Sequence, residues 1–334
     1  MTLDLPLIWA GLIALAILIY IILDGFDLGV GLLFPFEPGE DERDLMMNSV
    51  APVWDGNETW LVLGGGGLFA VFPLAYATAL PALYAPLLAM LLALVFRGVA
   101  FEYRWRTTRW KRVWDVSFFA GSLIAALAQG IALGALVQGI EIENRAYAGG
   151  WWDWFTPFSL LCGVALVFGY ALLGATWLNM KLEGAVQERM RYRAAIAGAV
   201  TVGFIGVVSL ITPFLDEIYF ARWFAWPTAL YSAAVPLLCA AAIAALYYGL
   251  KKRHDVTPFL ASLTLFTLCF IGLGIGFYPY IVPHSLTIAE AAAPDSSLLF
   301  TLVGAAVLLP LILGYTAYTY WVFRGKLDPE EGYH

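Results

Sequence analysis

The sequence predicts an all-α integral membrane protein of nine transmembrane helices, with the N-terminus outside and the C-terminus in the cytoplasm. Three observations carry this. Of 334 residues, 61% are hydrophobic and only 13% charged, where soluble domains have roughly 45–50% and about 25%; soluble, fibrous and disordered classes are thereby excluded. Apolar residues run unbroken over the roughly 20 positions that a helix needs to cross about 30 Å of hydrocarbon, without the alternation of a barrel strand. Finally, the basic residues fall almost wholly on one side.

The first span, Leu5 to Leu33, has no basic leader and no small-residue cleavage site, so it is read as a retained helix and not a signal peptide. It is followed by Val50 to Tyr76, Ala79 to Phe101, Trp114 to Gln138, Pro157 to Lys181, Arg193 to Phe214, Phe224 to Tyr248, Pro258 to Val282 and Ser296 to Phe323. No connection is long enough to form a separate domain, so residues 1–334 read as a single membrane domain.

Of the 18 Lys and Arg residues, 15 lie in the connections after spans one, three, five and seven and in the C-terminal tail. Only Arg145 and Arg222 lie on the opposite side, and Arg97 sits inside the third span. The positive-inside rule sets the orientation from this bias. Trp151, Trp152, Trp154, Trp223 and Trp226 would then form an outer aromatic belt.

Ionisable residues within spans are costly and point to function. Asp24 and Asp27 in LDGFDLGVG are three apart and share a helical face. Asp55 and Glu58 in APVWDGNETW repeat that spacing at the start of the second span, with Asp55 expected to be enclosed between Trp54 and Trp60. Arg97 lies at the basic end of the third span, and Asp115 opens the fourth. Five acids and one arginine therefore collect at a similar depth on the cytoplasmic side, where a protonatable pair counter-charged by Arg97 would suit a proton-loading path. The competing reading is that these groups only end helices at the headgroup level.

Other features point to packing. The run Gly64 to Gly67 lacks a following GK[ST] and is expected to pack helices closely. The prolines of FYPYIVPHS are expected to break the eighth helix near the outer face. Cys162, Cys239 and Cys269 stand in apolar runs without metal spacing. The three histidines, His254, His284 and His334, lie outside the spans. No catalytic group, cofactor ligand or metal site is therefore expected in this chain.

The strings DGFDLGVG, NSVAPVWDGNETWLVLGGGGLFAVFPLAYA, FRGVAFEYR, WDVSFFAGS, GATWLNMK and FYPYIVPHS, in this order, resemble subunit II of the cytochrome bd quinol oxidases. They also look similar to the cyanide-insensitive branch of that family. The resemblance implies a bacterial plasma-membrane complex that oxidises quinol and reduces dioxygen to water, taking protons from the cytoplasm and contributing to the proton-motive force. It implies two b haems and one d haem held by a partner, subunit I, in a pseudosymmetric heterodimer; a small third subunit is left open, and nucleic acid has no part. It further implies two four-helix bundles, about residues 1–138 and 157–282, plus a ninth helix at 296–323. By the same resemblance Asp55 matches a family position associated with a proton route, and Asp24, Asp27, Arg97 and Asp115 match its cytoplasmic polar cluster. The connection Leu215 to Trp223 is short where some relatives carry an insert. On the residues alone, a proton-coupled transporter and a purely structural subunit remain open as alternatives.

Overall fold

The computed structural model describes residues 4–327; His334 lies outside them. The elements run α1 (Leu5–Leu33), a 3₁₀ turn (Phe34–Phe36), α2 (Glu40–Asn48), α3 (Trp54–Val71), α4 (Pro73–Ala82), α5 (Tyr84–Arg104) and α6 (Lys111–Gln138). A small hairpin, β1 (Ile142–Glu143) and β2 (Ala146–Tyr147), leads to α7 (Pro157–Lys181), α8 (Gly184–Ile211), α9 (Glu217–Phe224), α10 (Thr228–Lys251) and α11 (Thr257–Phe277). A second hairpin, β3 (Tyr280–Val282) and β4 (Leu286–Thr287), precedes α12 (Ile288–Ala291) and α13 (Asp295–Val322).

Among the described residues, eight helices are long and apolar enough to cross a membrane, where the sequence predicts nine. The expected second span is the difference. Its helix, α3, has 18 residues and rises about 27 Å, slightly less than the about 30 Å of hydrocarbon. Asp55, Glu58 and four glycines lower its hydropathy, and the chain leaves helical geometry at Phe72 (φ −130°, ψ 60°) before Pro73. The short α4 then continues to a further break at Leu83, so the third span starts at Tyr84 and not Ala79. Span eight also ends early, at Phe277, because FYPYIVPHS turns into the β3/β4 hairpin, with Tyr280 opposite Thr287.

Helix α1 is the centre of the packing and touches α3, α6, α7 and α13. Its last ten residues, Asp24 to Leu33, are all buried. At its crossing with α7 the two backbones meet at glycine: a Cβ on Gly29 would lie 1.9 Å from the Tyr170 carbonyl oxygen, and one on Gly174 2.2 Å from the Gly29 carbonyl carbon. Small residues allow this approach, and in lipid such close packing is a main source of helix association. Below the crossing, Phe26 stacks on Trp177 at 4.2 Å, and Phe259 and Tyr320 meet them edge-on.

Only half of the glycine run packs as the sequence predicts. Gly65 and Gly66 are exposed with open space where a Cβ would stand, and only Gly64 and Gly67 touch α1, through Ile17 and Ile13. Close packing is built instead at Gly29/Gly174, at Gly130 against Cys162 and Gly163, and at Gly121 against Ala93 and Arg97.

Helix α13 is peripheral, with Leu298 its one buried residue among 28. Its end is nonetheless tied down: Lys181 Nζ donates to the carbonyls of Phe323 (2.5 Å) and Gly325 (3.1 Å), and Leu327 N donates to the Lys181 carbonyl (2.9 Å). This anchor carries Tyr320 to α3.

Gly174→Val should destabilise the folded protein by about 3 kcal/mol or more, because backbone must move to admit the side chain. Gly65→Ala should change the melting free energy of this chain by less than about 0.5 kcal/mol. Thermal unfolding of the detergent-solubilised protein distinguishes the two.

Candidate functional site

Three helices bring charge together in the interior at the basic end of the bundle. Arg97, on α5, is fully buried, and one of its terminal nitrogens, Nη2, lies 2.6 Å from Asp24 Oδ1 on α1 and also contacts Glu58 Oε1 on α3. Asp24 is fully buried, and the Glu58 side chain is a quarter exposed. One helical turn along α1, Asp27 is also fully buried. Its Oδ2 accepts from Asn57 Nδ2 at 2.7 Å, while Tyr320 Oη donates to Asn57 Oδ1 at 2.9 Å. Asp27 Oδ1 has no hydrogen-bond partner among the described residues. The i, i+3 spacing of the two aspartates thus places each on a different partner of the same buried group.

The arrangement has one permanent cation and three carboxyls. Arginine does not lose its proton in proteins, whereas carboxyls exchange theirs. Arg97 can therefore fix the position and charge of the group while Asp24, Asp27 and Glu58 hold or release protons. The partly exposed Glu58 is the member of the group that reaches the surface.

Two expected members stand elsewhere. Asp55 is exposed and not enclosed, because Trp54 turns away to stack on Phe101 (4.8 Å) and Trp60 is buried on the opposite face of α3. Asp115 belongs to a second group at the helix ends: its Oδ1 lies 2.6 Å from buried Arg104, which also pairs with Asp44 at 2.6 Å. Around it, Arg43 approaches Asp115 at 3.6 Å and Lys111 bridges Asp44 and Glu40. The Lys111 ammonium, through its hydrogen bond and charge, holds the Glu40 carboxyl below its usual range. A third group forms where buried Glu37 pairs with Arg189 and Arg193, each at 2.5 Å.

Asn57, Tyr320, Glu37 and Arg104 are the members that sequence reasoning missed. Asn57 had a signal, a polar amide within a spanning segment beside WDG. Tyr320 had none, being 263 residues from its partner.

Haem iron is held by an axial His, Met, Cys or Tyr, and the described histidines do not fit that role. His254 follows α10, with Nδ1 3.2 Å from Thr257 Oγ1. His284 lies in the β3/β4 turn at φ 65°, packed edge-on against Tyr219 and 3.5 Å from Asp216. Neither is on a membrane helix, and among the described residues no group of three or more His, Cys, Asp or Glu could hold a metal. No haem step is assigned to this chain's residues.

The family model described as "Cytochrome bd terminal oxidase subunit II" matches residues 5–323. The chain belongs to this family. It is 33% identical to the cytochrome bd-I ubiquinol oxidase subunit 2 of Escherichia coli K12, across 98% of this chain and 96% of that one. It is 31% identical to the cytochrome bd ubiquinol oxidase subunit 2 of Bacillus subtilis 168, across 97% of each. The bd oxidase structure from Geobacillus thermodenitrificans shares the fold, with a TM-score of 0.77 at 20% identity over 96% of this chain and 99% of that one.

Removing Arg97 alone, as in Arg97→Leu, should leave Asp24 a buried charge without a partner and destabilise the protein by about 3–5 kcal/mol. The double variant Arg97→Leu, Asp24→Leu should recover a large part of the loss, as read by thermal unfolding.

Proposed function

We propose that this chain is the subunit of a quinol-oxidising, dioxygen-reducing membrane complex that scaffolds a haem-bearing partner and supplies a proton route to it. Family membership and the names of the relatives support the oxidase reading over a proton-coupled transporter. The observation that carries the proton role is the buried group of Asp24, Asp27 and Glu58 around Arg97.

In this reading the complex sits in a bacterial plasma membrane with α3 as a ninth span. The N-terminus is outside, and the basic end of the bundle faces the cytoplasm. Helices α1, α3, α5 and α6 form a first four-helix bundle within residues 1–138. Helices α7, α8, α10 and α11 form a second within 157–282, and α13 at 296–323 is the extra helix. Two b haems and one d haem would be held by the partner in a heterodimer and would supply the electron transfer from quinol to dioxygen.

This chain's residues act on protons. Glu58 exchanges with water at the surface, and Arg97 keeps Glu58 and Asp24 within reach of one another. Asp27 is held by Asn57 through Oδ2, which leaves Oδ1 as the atom that takes and gives a proton. Asp55 lies on the open face of α3, as a residue at the contact with a partner would, and Asp115 belongs to the charged rim below.

Asp27→Asn and Asp55→Asn should each lower quinol-driven oxygen consumption by about an order of magnitude or more, with assembly and haem content retained. Full turnover in an assembled Asp55→Asn complex would remove Asp55 from the route. Full turnover in both variants would overturn the proton role.

A further inference from the structure

The connection from α5 to α6 reads Arg104-Trp-Arg-Thr-Thr-Arg-Trp-Lys-Arg112, five cations and two tryptophans in nine residues. The structure divides these cations into two sets. Arg104 and Lys111 turn inward, onto Asp44 and Asp115 and onto Glu40, and so fix both ends of the loop to the helix-end ion pairs. Arg104 is in addition wedged between Phe34 and Trp105, 5.2 Å from each ring centre. Arg106, Arg109 and Arg112 turn outward and are exposed. Arg106 has only a loose pair with exposed Glu102 at 3.6 Å, and among the described residues neither Arg109 nor Arg112 has a carboxylate within 4.0 Å.

Apolar surface stands beside these free cations. Trp110 is 58% exposed, Tyr103 54%, Val113 51% and Val116 63%, and Arg109 lies over the Trp110 ring at 5.6 Å. The loop joins two helices that are each long and apolar enough to span a bilayer. Its guanidinium groups therefore lie at headgroup level whichever way the chain is inserted, with Trp110 and Tyr103 at the depth where amphipathic rings settle. A guanidinium fork pairs with two phosphate oxygens at once, and basic clusters directly outside a span recognise anionic lipid.

We propose that Arg106, Arg109 and Arg112, with Trp110, form a binding site for the phosphodiester headgroups of anionic phospholipids. Inward-facing Arg104 and Lys111 hold the loop in shape, so little ordering accompanies binding. The outward cations meet phosphate, and Tyr103, Trp110, Val113 and Val116 meet the upper acyl chains.

The test uses the intact complex in nanodiscs of phosphatidylglycerol mixed with phosphatidylcholine, with retained lipid counted by native mass spectrometry after partial delipidation. The wild-type complex should retain phosphatidylglycerol over phosphatidylcholine, and the preference should shrink as salt is raised, since exposed charges are screened. The triple variant Arg106→Gln, Arg109→Gln, Arg112→Gln should assemble normally and lose about tenfold or more of that preference. Arg324→Gln, on the tail, should retain it. Equal retention of both lipids by the wild type, a preference insensitive to salt, or undiminished preference in the triple variant would each overturn the site. Loss of the partner subunit from the triple variant would assign the patch to a protein contact and also overturn it. None of these readouts depends on the proton route.

Discussion

A guanidinium buried at the end of three helices sets the terms for this fold. Arg97 has no exposed side-chain surface, and a buried charge persists only when opposite charge and hydrogen bonds surround it. Through its Nη2 this group brings α1 to α5 at Asp24 and α3 to α5 at Glu58. Helix α6 can close behind α5 because Gly121 sits against the Ala93 carbonyl and the Arg97 backbone, where a side chain would not fit. The glycines of α1 do the same on the other side, bringing α7 within backbone contact. The polar cluster and the small-residue crossings are thus parts of one packing solution.

Outside this interior group the charges take another form. Arg104 with Asp44 and Asp115, and Glu37 with Arg189 and Arg193, join the short α2 and the 3₁₀ turn to the ends of α5, α6 and α8. These groups lie at helix ends, where partly exposed partners surround buried Arg104 and Glu37, and their role is to hold the connections. The interior group differs in holding three carboxyls, Asp24, Asp27 and Glu58, around a single cation. That difference separates the proposed proton-bearing residues from the structural ion pairs.

Much of this was legible in the sequence because lipid imposes simple rules. Continuous apolar runs predicted nine spans, of which eight are long and apolar enough to cross a membrane among the described residues, and intramembrane charge pointed to Asp24, Asp27, Glu58 and Arg97. The sequence misled where a rule depends on which face of a helix looks inward. Asp55 and Glu58 share one face by spacing, yet Glu58 turns to Arg97 while Asp55 points outward. Gly64 to Gly67 read as a packing surface, but half of the run faces away from the chain. Tyr320 could not be found from pattern, since its role depends on the Lys181 anchor that draws the end of α13 across the molecule.

The central claim is that the carboxyls around Arg97 move protons for oxygen reduction. Its most direct test is time-resolved proton uptake when the fully reduced complex meets oxygen, followed with a pH-sensitive dye in wild type and Asp24→Asn. The account predicts slowed proton uptake in the variant while haem oxidation begins at the wild-type rate. Proton uptake of equal rate and amount in both would contradict it.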